Sequence, residues 1–407
     1  MKTLINPKKN HSLKRAIRYI FYIQLFIVFF ALFFGVTFIG AMADDGQAEG
    51  KAKLNESVKE LLTELDLKEL ENYVDELGNF TDKSVSERLL AYIEGEKFDY
   101  ASFGKGLLKV LFEKIIQVLP AFTTIAAIAL LSGLISTLRS GAIGGSSAEM
   151  IFMISYVTAL VPLLSVLIEC FQVSTTSLSS MSRQMGIVFP IMLTLMASSG
   201  GAVSVSVCRP AVAFFSTTIV SVLSNVVLPL TIMIIAFSIA GNFTAELKIN
   251  KFSAFFKSIN KWIIGVCVSV FGIFFTLQGI TAATTDGVVR RAAKYAIGNG
   301  VPIVGGFLSG GFDLAVAGSV LIKNSLGSMS IFLMVSILFE PLVLLIAVNV
   351  LLRFTAAITQ PFGDSRISDF LGETAENLHY CTAALLFTAF LYFLCILLLV
   401  TSTEALF

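Results

Sequence analysis

Gln278, Asp286, Arg290, Arg291, Lys294, Asn299, Asp313, Lys323 and Asn324 interrupt sequence that is otherwise apolar or glycine-rich across residues 272–326. A charged side chain near the centre of a bilayer costs at least about 2.5–3.5 kcal/mol on insertion scales. In such a setting these residues need a partner, an aqueous cavity or a place at the membrane surface. Their chemistry is that of a passage for polar solutes, or of a seam that grips neighbouring subunits. Asp286 has two local readings. Within Thr284-Thr285-Asp286-Gly287 it can cap a helix starting at Gly287, its carboxylate accepting backbone N–H bonds. Alternatively it can pair with Arg290, Arg291 or Lys294 along one helix. Lys323 and Asn324 either mark a membrane boundary by snorkelling or make a contact inside an assembly.

Conventional catalysis has no foothold. The histidines are His11 and His379, far apart in the chain. No Gly-x-Ser-x-Gly elbow, His-Glu-x-x-His helix or phosphate-binding glycine loop occurs. The glycine-rich run 300–311 lacks the Lys-Ser/Thr pair of a nucleotide loop and reads as close helix packing. Five cysteines (Cys170, Cys208, Cys267, Cys381 and Cys395) sit in or beside apolar segments without a C-x-x-C pair. That is the pattern of buried small residues rather than a metal or redox site. No enzyme activity, no cofactor and no metal is expected.

The elements that must position the polar block are membrane helices. Of 407 residues, 56% are hydrophobic and only 14% charged, and apolar runs of the ~20 residues needed for one helical crossing recur from about Ile115. The expected fold is an all-α polytopic membrane protein with broken helices. Apolar segments fall at roughly 115–137, 150–172, 185–199, 202–223, 225–241, 262–283, 300–322, 329–352 and 381–402, which supports seven to nine crossings. Pro190, Gly200, Gly201, Pro302, Gly305 and Gly310 are the expected helix breaks. Lys248, Lys251, Lys257 and Lys261 mark the loop after residue 241 as cytoplasmic. Phe252, Phe255, Phe256 and Ile259 share a face there, as in a helix lying in the interface.

Ahead of this membrane domain (112–407) stand two other pieces. Residues 1–43 read as a signal peptide: Lys8, Lys9, Lys14, Arg15 and Arg18, an apolar run, then Ala41-Met42-Ala43. Residues 44–111 read as a small acidic helical domain outside the cytoplasm. Between Asp44 and Asp99 seven Lys/Arg face sixteen Asp/Glu, a net charge of −9 inside a chain of net +1. Leu54, Val58, Leu61, Leu62, Leu65, Leu70, Val74 and Leu77 keep helical spacing up to a stop at Gly78-Asn79. A second short helix is expected over 84–94 and a third from Phe103. The acidic face is a solvated cap or a docking surface. An internal duplication, about 150–261 and 262–380, is suggested by Pro190/Pro302 and Pro229/Pro341, both 112 residues apart. Paired interrupted helices of that kind occur in many transport proteins.

Several strings together resemble the stage III sporulation protein AE family of endospore-forming bacteria. They are Leu277-Gln278-Gly279, Thr285-Asp286-Gly287-Val288, Arg291, Ala293-Lys294, Gly298-Asn299, Pro302-Ile303-Val304-Gly305 and Leu321-Ile322-Lys323-Asn324. Ala197-Ser198-Ser199-Gly200-Gly201 and Gln360-Pro361-Phe362-Gly363 fit the same pattern. The likeness is strongest over 185–365 and mainly architectural before Ile115. It implies a non-enzymatic, permease- or export-gate-like component of the channel joining mother cell and forespore, needed for late forespore gene expression. It implies partners as well: the other mother-cell stage III channel proteins, including a secretion-type ATPase and ring-forming subunits, and indirectly a forespore protein. The location implied is the mother-cell membrane around the forespore, with the N-terminal domain extracytoplasmic. No nucleic-acid partner is expected. On this reading Gln278, Asp286, Arg291, Lys294, Asn299, Lys323 and Asn324 line the passage or touch ring subunits. The rival reading is a stand-alone secondary transporter of a small solute, which the duplication and the polar block would suit equally. A scaffold whose polar block only makes helix contacts is the third.

Overall fold

The computed structural model describes residues 48–76, 84–94, 100–139, 145–199, 201–243, 250–300, 305–361 and 365–401. At some helix ends, and over 277–300 and 305–313, it describes the course of the backbone alone. The expected signal peptide, Gly200 and Pro302 lie outside the described residues. Met1–Leu54 and Asn55–Phe407 form two compact units. Among the described residues every regular element is helical.

The acidic region makes three short helices, α1 (Ala48–Glu64), α2 (Lys68–Glu76) and α3 (Val85–Ile93). The single helix expected over 54–77 is interrupted at Leu65-Asp66-Leu67, where the Asp66 carboxylate accepts the Lys68 N–H at 3.4 Å and restarts the chain as α2. α3 opens with a capping box. Ser84 Oγ accepts the Glu87 N–H at 3.2 Å, and Glu87 Oε2 accepts the Ser84 N–H at 3.1 Å. A cap of this type is worth about 0.5–2 kcal/mol. Val58, Leu62, Leu70, Tyr73, Val74, Val85 and Leu89 are all buried, so the apolar stripes read from the sequence face inward.

The remaining helices are long. They are α4 (Tyr100–Arg139), α5 (Gly145–Ser198), α6 (Ala202–Ala213), α7 (Leu228–Phe243), α8 (Asn250–Gly300), α9 (Gly305–Thr359), α10 (Ser365–Asn377) and α11 (His379–Thr401). α6 runs on to α7 through two π-helical stretches, Phe214–Ile219 and Leu223–Val227. Among the described residues six apolar stretches are long enough to cross a membrane: Gly104–Leu134, Phe152–Ser198, Ser204–Phe243, Lys251–Thr276, Leu314–Thr359 and Arg366–Thr401. This is a polytopic membrane protein, and several of these stretches run on past the ends of the apolar segments expected. The reason is visible in α5. Its polar middle, 172–184, is rich in Ser and Thr, whose hydroxyls bond back to the preceding turn (Ser174 Oγ to Cys170 O, 2.6 Å; Thr175 Oγ1 to Phe171 O, 2.9 Å). Helix therefore continues where hydropathy alone marks a loop.

Two of the expected breaks also fail to break. Pro190 sits inside α5, with Thr194 Oγ1 donating to its carbonyl at 3.0 Å, and Gly310 lies within α9. α5 ends at Ser198 and α6 begins at Ala202, with Gly201 just before it, while 301–304, between the end of α8 at Gly300 and the start of α9 at Gly305, lie outside the described residues. α8 is continuous through 284–290. Asp286 is therefore mid-helix and not the cap of a new helix, and the aromatic face at 252–259 belongs to the first turns of α8 rather than to a separate interfacial helix.

α9 forms the centre, packed by α4, α5, α10 and α11, with Met334, Leu344, Val348 and Leu352 fully enclosed. The Gln184 side chain of α5 donates to Ser330 O at 2.8 Å. At Gly327 a Cβ would lie 2.7 Å from Val400 Cγ2 and 3.6 Å from Met192 Cε, so glycine permits the approach of α11 and α5. At Gly318 a Cβ would lie 3.0 Å from Leu61 Cδ1, which seats α1 on the same helix.

Candidate functional site

The polar residues singled out by sequence are divided by the fold between two long helices. Gln278, Asp286, Arg291, Lys294 and Asn299 all lie on α8. Helical register sets Asp286, Arg290 and Lys294 in a row at i, i+4 and i+8, on one face. Gly305 is the first residue of α9, and Lys323 and Asn324 lie farther along it. Lys323 is fully enclosed, at 0% exposure, and Ser319 one turn earlier is at 1%. A wholly enclosed lysine is not snorkelling to a membrane surface, and what encloses Lys323 is this chain itself. Asn324 is half-buried.

Sequence reasoning missed a second polar group, at the far end of α9. The Glu373 carboxylate of α10 accepts from Ser238 Oγ and, at 3.2 Å, from Asn242 Nδ2, both on α7. Asn349 Nδ2 donates to Ala375 O at 2.5 Å. Arg353 Nε donates to Asn349 Oδ1 at 2.9 Å, and its Nη2 lies 3.2 Å from His379 Nε2. The Arg366 guanidinium covers the Phe152 ring at 3.4 Å, and Tyr156 Oη donates to Ile239 O at 2.8 Å. These contacts tie α5, α7, α9 and α10 together. The signal was the amphipathic run 365–377, too polar to register as a membrane segment.

A third group joins the acidic helices to α5. Arg183 makes a two-pronged pair with Glu76, one prong at 3.1 Å, and lies 5.3 Å over the Tyr73 ring. Tyr73 Oη donates to Ser180 O at 3.0 Å. Burial pushes the Tyr73 phenol up to about 12, against a smaller opposing pull from Arg183. The hydrogen bond from Arg183 holds the Glu76 carboxyl below the usual carboxylate range. Aromatic, guanidinium and carboxylate here form one stacked and hydrogen-bonded unit.

Among the described residues no three His, Cys, Asp or Glu side chains converge as metal ligands. Among the described residues the arrangement supplies hydrogen-bond bracing between long helices, with Lys323 enclosed on α9 and ionisable residues along the course of α8.

Comparison with known proteins agrees with the string resemblance. A family model described as stage III sporulation protein AE matches residues 84–403. A relative of that description from Bacillus subtilis (strain 168) is 25% identical over 386 residues, covering 91% of this chain and 96% of its own length. No solved structure matches the chain.

Proposed function

This chain belongs to the stage III sporulation protein AE family, a membrane protein involved in sporulation, and from that premise we propose that it is a non-enzymatic, permease- or export-gate-like part of the channel linking mother cell and forespore. The observation that carries the proposal is the family match across 84–403 together with six long apolar helices that enclose ionisable residues. Membership implies other stage III channel proteins as partners; an ATPase and ring-forming subunits belong to the finer proposal, as does the mother-cell membrane as location. Asp286, Arg291 and Lys294 on α8, with Lys323 and Asn324 on α9, then line the passage or contact ring subunits. Gln278 lies about two turns before Asp286 on α8, and Asn299 lies near the C-terminal end of that helix.

The test is substitution of the α8 row in a sporulating host. Asp286→Asn and Lys294→Gln should each abolish late forespore gene expression, read from a forespore-specific reporter, while the protein persists at parental level on immunoblots. Normal reporter activity and normal spores from both variants would refute the assignment. A stand-alone solute carrier is favoured by the enclosed Lys323 and separated by purification. A carrier should purify alone and transport after reconstitution, whereas a channel part should bring ring and ATPase partners with it.

A further inference from the structure

One face of α5 changes character partway along the helix. Its exposed positions are first Met150, Ile154, Val157, Val161, Leu164 and Ile168, all large and apolar, with only Thr158 and Ser165 also exposed among them. They then become Gln172, Thr175, Ser179, Arg183, Pro190 and Thr194. Beyond Ile168 no large hydrophobic side chain of α5 is exposed. At 1.5 Å per residue the apolar stretch rises about 27 Å, the height of one hydrocarbon layer of about 30 Å.

Polar side chains meet at the level of the change, on three helices. Gln117 of α4 donates to Glu169 of α5 at 2.8 Å, and Lys114 of α4 pairs with Glu340 of α9 at 2.8 Å. On α9 the exposed large apolar residues, Ile346, Val350 and Phe354, all follow Glu340, and over 314–339 no residue is exposed. On α4 exposed apolar residues continue to Leu108, mixed with Lys105, Lys109 and Glu113, as at a headgroup layer. The opposite edge of the belt carries Arg366 over Phe152, and Arg353 and Lys251. Basic residues of that kind mark the cytoplasmic side. On α8 the apolar face reaches farther, to Ile273, which a bundle tilted within the ordinary 0–40° range presents as an oblique belt.

We infer that, on the face built by α4, α5 and α9, the hydrocarbon of a single bilayer ends at Lys114, Gln117, Glu169 and Glu340. The second half of α5 (172–198) and the first half of α9 (314–339) then stand outside it, on the extracytoplasmic side, as a water-facing bundle roofed by α1–α3. The apolar segments 185–199 and 314–339 are the core of that bundle, not crossings. The inference does not rest on the channel reading, but it places Lys323 and Asn324 of the proposed passage on the extracytoplasmic side of the hydrocarbon.

Single-cysteine reporters in the full-length chain decide it, the parent protein with its buried cysteines serving as blank. In protoplasts of vegetative cells made to express the chain, Ser179→Cys and Thr194→Cys should react with a membrane-impermeant maleimide without detergent, whereas Val157→Cys and Val161→Cys should react only after solubilisation. Protection of Ser179→Cys and Thr194→Cys to the same degree as Val161→Cys overturns the inference. A lipid-soluble carbene photolabel on the unsubstituted protein covers the case of a variant that fails to fold. Peptide mapping should find label in 150–168 and not in 172–198; equal labelling of the two stretches overturns the inference equally.

Discussion

Tyr73 shows how much of this fold hangs on single contacts. Its ring is 2% exposed and its hydroxyl reaches Ser180 O. Tyr73→Ala removes the whole buried aromatic and should cost about 3–5 kcal/mol. Tyr73→Phe keeps the ring and loses a hydrogen bond worth about 0.5–1.5 kcal/mol. Thermal unfolding in detergent should rank the two in that order, and the reverse ranking would discard the packing account. The neighbouring Glu76 adds a pH signature. Its carboxyl is held below 4.5 by Arg183, so its contribution is complete above that value and is lost as pH falls through the lowered pKa. Proteolytic nicking of α2–α3 should increase at acid pH in the parent protein. In Arg183→Gln the acid step should flatten; an unchanged acid profile there would assign it to another carboxylate.

At the scale of elements, two glycines of α9 make a graded prediction. A Cβ at Gly327 would meet Val400 Cγ2 at 2.7 Å, and valine is stiff about χ1, whereas a Cβ at Gly318 would meet the more mobile Leu61 Cδ1 at 3.0 Å. Gly327→Ala should cost about 1–3 kcal/mol of overpacking, and Gly318→Ala should cost less, both read as shifts of the unfolding midpoint. Such close approaches could not be read from composition. What could be read was local: the capping box at Ser84, the amphipathic stripes of α1–α3 and the apolar stretches themselves. Boundaries between helices were misplaced for a physical reason. Hydropathy falls at Gln172-Val173-Ser174-Thr175 and at Thr284-Thr285-Asp286, yet helix runs on through both, since the propensity cost of such residues is at most about 0.7 kcal/mol each and no proline intervenes. The site was legible in part. Lys323 proves enclosed, the α8 residues are described only by the course of their helix, and Glu373, Asn349 and Arg353 escaped notice because their partners come from other helices.

For the whole molecule, the acidic N-terminal helices are the place where fold and partner recognition can be told apart. From Asn55 onward they belong to the same compact unit as the membrane helices. Their inward faces bury Val58, Leu62, Leu70, Tyr73, Val74, Val85 and Leu89, each worth about 1.5–3 kcal/mol. Several such terms together rival the 5–15 kcal/mol that stabilises a typical protein. Glu56, Glu60, Glu64 and Glu69 point the other way and are exposed; surface substitutions of that kind usually change stability by less than about 0.5 kcal/mol. Deleting residues 55–93 should therefore leave a chain that inserts but aggregates in detergent and is degraded in the membrane. Changing the four glutamates to glutamine should leave its level and its gel-filtration profile unchanged. The second variant then isolates the acidic face. A loss of forespore reporter activity at normal protein level makes it a docking surface, and normal sporulation makes it solvated covering. A deletion protein that accumulates normally and elutes as a single species would show that the apolar halves of α5 and α9 need no roof, and the assignment of α1–α3 as structural would fall.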